Sequence, residues 1–189
     1  MDLVNQRAVG FLIAVAIFVV ALVVIATYYY CRSRKSSRRD WERLLGRLMA
    51  VDRNSIAEVA LDIIDVSGKS RADEESARLE APQIWKLVGG LEGLEALEAN
   101  SAVLIDLAFY VQKWYPEALV VAEELRLSAR EIEWHVERLK GAARAGKLES
   151  VFAMYAQRAV ATYYLMTRQI LALYEKGNLP MLGDVERAL

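Results

Sequence analysis

AEELRLSAREIEWHVERLKGAA, residues 122–143, decides the fold class. Ala122, Leu125, Ala129, Ile132, Val136, Leu139 and Ala143 recur at alternating steps of three and four. That spacing puts them on one stripe of a helix and is incompatible with the two-residue period of a strand. The other faces carry Glu123, Glu124, Arg126, Arg130, Glu133, Glu137 and Lys140, which read as a solvated surface. Upstream, Leu94, Leu97, Ser101, Leu104, Ala108, Val111 and Tyr115 keep the same heptad seam in a helix that starts near Leu91. Pro116 ends that helix and starts the next, because proline lacks the amide a helix interior needs. Downstream, Ala145-Gly146 offers a tight turn. A last long helix then runs from Leu148 to Lys176, with Gly177 and Pro180 as stop signals.

The front of this region is also helical. Trp41, Leu44, Leu45, Leu48 and Met49 form one apolar helical face. Ser55-Ile56-Ala57-Glu58 has the spacing of a capping box, and Ile56, Val59, Ala60 and Ile63 continue a stripe that Gly68 stops. The polar residues from Ser67 to Glu80 read as a loop. Pro82 opens a short helix ending near Gly89-Gly90. No segment has the alternation and turn chemistry of a strand, and no period of 20–50 residues suggests a solenoid. The fold class expected is all-α, with a bundle of five to six helices.

Between Ala8 and Cys31 there is no charged residue. The run Ala8–Tyr30 is long enough, at 1.5 Å per residue, to cross a hydrocarbon core of about 30 Å. A cleaved signal peptide fits less well, since Asp2 stands beside Arg7 and no small-residue cleavage site follows. Arg32, Arg34, Lys35, Arg38 and Arg39 come next, a basic collar that the positive-inside rule places in the cytoplasm and that can meet anionic lipid. The organisation expected is therefore a short external N-terminus and transmembrane helix (1–31), a collar (32–40), a cytoplasmic bundle (41–177) and a C-terminal tail (178–189). The protein expected is a single-pass membrane protein, N-terminus outside.

Charge narrows the partners. Of 24 Lys and Arg, 18 lie beyond residue 39, against 24 of the 25 Asp and Glu, a net of −6 there. An acidic body argues against nucleic-acid binding. One Cys excludes an internal disulfide, and one His excludes paired-His metal chemistry. Gly89-Gly90-Leu91-Glu92-Gly93 fits neither phosphate-binding fingerprint. There is no Gly-x-Ser-x-Gly elbow. A di-iron bundle needs two Glu-x-x-His elements, but residue 132, three before His135, is Ile and there is no second His. His135 reads as a partly exposed helix residue, Asp62 and Asp65 as exposed charges, and Asp73, Glu74 and Glu75 as a solvated loop. Trp85, Trp114 and Trp134 are expected to be buried, with interface anchoring as the second reading.

The last helix has only Arg158 and Arg168 as charges between Ser150 and Tyr174. A helix apolar nearly all round is central in a bundle. A second membrane span over residues 151–173 is disfavoured by the two Arg. Phe152, Tyr155, Tyr163, Met166 and Ile170 are the candidate interface residues if one side of it meets a partner. The function expected is a membrane-anchored, non-catalytic interaction module: a scaffold, adaptor or accessory subunit, without metal or cofactor. Its partners would be the lipid bilayer and a helical protein or a second copy. The alternatives are a regulatory protein coupling the membrane to a cytoplasmic partner, or an enzyme with an unrecognised site.

Overall fold

The computed structural model describes residues 15–28, 41–65, 68–69, 78–112, 114–179 and 181–189. They divide into two units, residues 1–38 and Arg39–Leu189. In the first, residues 15–28 are helical (α1) and every side chain is exposed. The second holds α2 (Trp41–Leu45), α3 (Arg53–Ile63), α4 (Ala81–Val88), α5 (Gly90–Val111), α6 (Ala118–Arg144), α7 (Leu148–Lys176) and α8 (Leu182–Ala188). No strand occurs among the described residues.

The membrane reading needs correction. Among the described residues, no helix is long and apolar enough to cross a membrane. The described part of the apolar run, residues 15–28, is helix throughout. The second span over residues 151–173 fails the same test. A single-pass protein with its N-terminus outside is therefore not supported. The remainder of Ala8–Tyr30, Cys31, and the collar of Arg32, Arg34, Lys35, Arg38 and Arg39 lie outside the described residues, as do Asp73, Glu74 and Glu75.

The seams read from the sequence form the core of the bundle. Leu94, Leu97, Ser101, Leu104, Ala108 and Val111 of α5 are buried, as are Ala122, Leu125, Ile132, Val136 and Leu139 of α6. α5, α6 and α7 each pack against the other two. α6 runs antiparallel to both neighbours: Lys140 reaches Glu95 and Glu98 of α5, and His135 stacks near Tyr155 of α7. α5 and α7 are parallel, with Asn100 bonded to Tyr163 and Leu107 to Tyr174. α7 also meets α3, α4 and α8, so the central position expected for it holds. Its Phe152, Val160, Tyr163, Met166 and Ile170 are at most 2 % exposed.

Several local expectations change. The Trp41–Met49 face is not one helix. α2 stops at Leu45, and the chain turns through Gly46 and Arg47. The cap of α3 is Asp52, whose carboxylate accepts from the Asn54 amide at 3.1 Å and from the Ser55 hydroxyl at 2.6 Å. Ser55 is the third helical residue, a donor to the cap and not the cap itself. The bonds from the Ser55 hydroxyl and the Asn54 amide lower the pKa of the Asp52 carboxylate. Residues 182–188, expected within a tail, form α8 and bury Val185. The Trp41 indole donates to Asp184 at 3.2 Å, and the Arg53 guanidinium donates to the Glu186 carbonyl.

Candidate docking face

Buried polar side chains fix the scaffold. Asn100 is 1 % exposed. Its Oδ1 accepts from the Met49 amide at 2.7 Å, and its Nδ2 donates to the Met49 carbonyl at 2.9 Å and to the Tyr163 hydroxyl at 3.3 Å. One amide side chain thus satisfies both backbone groups of a residue that has left helical structure. Asp62, read from the sequence as an exposed charge, is buried. Its carboxylate accepts from the Arg78 and Leu79 amides at 2.8 and 3.2 Å and from Gln157 Nε2 at 2.9 Å. The segment entering α4 is thereby pinned to α3 and α7. Arg47 pairs with Asp106 at 2.7 Å, tying the turn after α2 to α5. The Tyr174 hydroxyl donates to the Leu107 carbonyl at 3.0 Å, and burial pushes its pKa up.

With these elements fixed, α6 turns one face to the outside. Val120, Leu127 and Trp134 are 62, 63 and 48 % exposed. They lie seven residues apart, so successive members shift by only about 20° around the helix and form one stripe. Exposed Glu124, Glu131 and Arg138 flank it. Gly141 continues it, and a β-carbon built there would meet nothing within 4 Å. Trp134 is held in place: its ring lies 5.7 Å from Tyr155, edge to face, and the Arg138 guanidinium sits 5.0 Å over it. Such contacts orient an exposed indole without hiding it.

His135 lies beneath Trp134 and is 3 % exposed, against the partial exposure expected. Its Nε2 is 3.7 Å from Glu131, and its Nδ1 is buried without a hydrogen-bond partner. Burial lowers its pKa below the usual 6.5. Glu131 opposes that shift, and the Arg158 charge adds to it. The imidazole is a packed core group rather than a proton carrier open to solvent.

The residues proposed from the sequence as an interface fall elsewhere. Phe152, Tyr163, Met166 and Ile170 are buried among the bundle's own helices, and Tyr155 is half-buried. The tryptophans reverse the expectation: Trp85, Trp114 and Trp134 are 43, 53 and 48 % exposed. Trp85 stacks at 4.6 Å on Phe152 and, with Ala81, Pro82 and Leu148, lines an open apolar cavity of about 610 Å³. The helical stripe of α6 read from the sequence, Ala122 to Ala143, does not include Val120 and Leu127. Their signal is a second seven-residue spacing, ending at Trp134, on the charged side of the same helix. Among the described residues, no group of three or more His, Cys, Asp or Glu converges as a metal site would require.

Comparison of the chain with protein-family models, with curated proteins and with solved structures finds no match.

Proposed function

We propose that the bundle is a non-catalytic helical interaction module that docks a partner helix on α6. The observation that carries this reading is the stripe Val120, Leu127 and Trp134: three large apolar side chains in heptad register, left outside a well-filled core. Removing such side chains from water on association stabilises a complex by roughly 25 cal/mol per Å² of apolar surface. A heptad stripe with charged flanks is the pattern a second helix packs against. Trp134, fixed between Tyr155 and Arg138, is the expected anchor, since oriented tryptophans dominate binding energetics. The test is co-purification with the tagged full chain, wild type against Leu127→Glu. Leu127 is largely exposed, so the thermal midpoint is expected to stay within a few degrees while a stoichiometric partner is lost. Equal recovery of every associated protein by both chains would remove the reading.

A further inference from the structure

We infer that His135 is an acid-sensitive latch between α6 and α7: its neutral ring seats Trp134 against Tyr155, and uptake of a proton releases that seat. The latch is a property of the bundle itself and holds whatever the α6 face binds. Three rings form one cluster. His135 lies 4.9 Å from Trp134 and 5.7 Å from Tyr155, and Trp134 and Tyr155 are 5.7 Å apart. A neutral imidazole has one N–H and one lone pair. Nε2 is the end that faces a carboxylate, that of Glu131, which places the proton there and the lone pair on Nδ1. Protonation puts a charged N–H at Nδ1, which is buried with no partner among the described residues. The groups around the ring do not hold a cation in place. From α7 it meets Tyr155 and the positive charge of Arg158. On α6, Glu131 attracts it, but 3.7 Å is beyond hydrogen-bond length, and a carboxylate 55 % exposed is screened by water. Arg138, one turn on, lies over Trp134, and Glu133 and Glu137 project from the other side of the helix. On α5, Glu95 and Glu98 are engaged by Lys140, five residues further along α6. Burial therefore dominates and holds the imidazole below its ordinary pKa of 6.5. Rotation toward Glu131 and water is the move that satisfies the charged ring. It withdraws His135 from beneath Trp134 and Tyr155 and frees the indole.

His135 is the only histidine in the chain, so proton NMR of the full chain follows it without ambiguity. Its Cε1 proton is expected to titrate with a midpoint below 6.5. Nuclear Overhauser contacts between the Trp134 and Tyr155 rings, assigned with Trp134→Phe, are expected to be lost over the same interval. Those between Trp85 and Phe152 are expected to persist, which shows the bundle still folded. His135→Gln is expected to keep the Trp134–Tyr155 contacts from pH 7.5 to about 5. Glu131→Gln is expected to move the midpoint to lower pH, because the attraction that opposes burial is gone. A titrating His135 with every ring contact intact takes its proton in place and overturns the inference. So does loss of both ring pairs together, which is unfolding of the bundle, and so does a midpoint at or above 6.5. Loss of the Trp134–Tyr155 contacts in His135→Gln puts the trigger elsewhere and also sinks it. If His135→Gln does not fold, the wild-type titration alone decides, through the match or mismatch of the imidazole midpoint with the loss of ring contacts.

Discussion

Asn100 and His135 are both buried polar residues, but the fold satisfies only one of them. Asn100 has partners for both ends of its amide, so its removal takes from the Met49 amide and carbonyl the side chain that pairs both. Asn100→Ala is expected to cost about 3 kcal/mol, measured by urea unfolding; a loss below about 1 kcal/mol would mean that water replaces the side chain. His135 is the opposite case, with Nδ1 unpaired in the interior. Burial lowers its folded-state pKa, so below the ordinary value of 6.5 the unfolded chain binds the proton and the folded chain resists it. Stability from this residue is therefore complete above about pH 6.5 and declines as pH falls below it toward the folded pKa. Wild type is expected to lose more stability between pH 7.5 and 5.5 than His135→Leu does. Parallel pH profiles of the two urea midpoints would exclude His135 as the titrating group.

The junction between α4 and α5 is made of glycines for a reason that lies between elements. Gly89 and Gly90 have φ of 80° and 68°, so the backbone reverses where a side chain is strained. The reversal brings α5 so close to the end of α4 that a β-carbon on Gly93 would lie 1.7 Å from the Val88 carbonyl oxygen. Gly93→Ala is thus expected to cost about 3 kcal/mol or more, because backbone must shift on both sides. Gly141→Ala, in open space on α6, is expected to stabilise by about 0.5–1 kcal/mol. Thermal unfolding of the pair checks the contrast; equal effects would mean that the junction relaxes freely. At this scale the sequence is a good guide to α5, α6 and α7, since each buried stripe has the helical period and α7 spans the predicted Leu148–Lys176. It is a poor guide to α2, whose apolar spacing runs on past Leu45, where the helix ends, to Met49, where Asn100 captures the chain. It also misses Asp62. A lone acid on a helix reads as solvated until the loop that caps it is known to return from position 78. The exposed apolar stripe of α6 is only half legible in the sequence. Charge on the outer side of α6 was evident, but whether Val120, Leu127 and Trp134 are covered depends on neighbours that one-dimensional spacing does not reveal.

Across the whole molecule, the unit Arg39–Leu189 has its own continuous core, from Leu44 through Leu189. A chain starting at Arg39 is expected to unfold in a single cooperative transition and to be strongly helical by circular dichroism. Separate transitions for different probes would show that the bundle is not one folding unit. Within it, Phe152→Ala is expected to cost about 3–5 kcal/mol, because α7 fills the middle and a cavity there has few ways to collapse. The central place of α7 has a consequence for how the protein is made. α3, α4, α5 and α6 all leave the ribosome before the helix that holds them together, and Asp62 waits 95 residues for Gln157. At about 5–20 residues per second, tens of residues of half-assembled helix stand exposed for seconds during each round of translation. The nascent chain in that interval presents the apolar sides of α3, α4, α5 and α6 to any chaperone it meets, and synthesis of α7 ends that access.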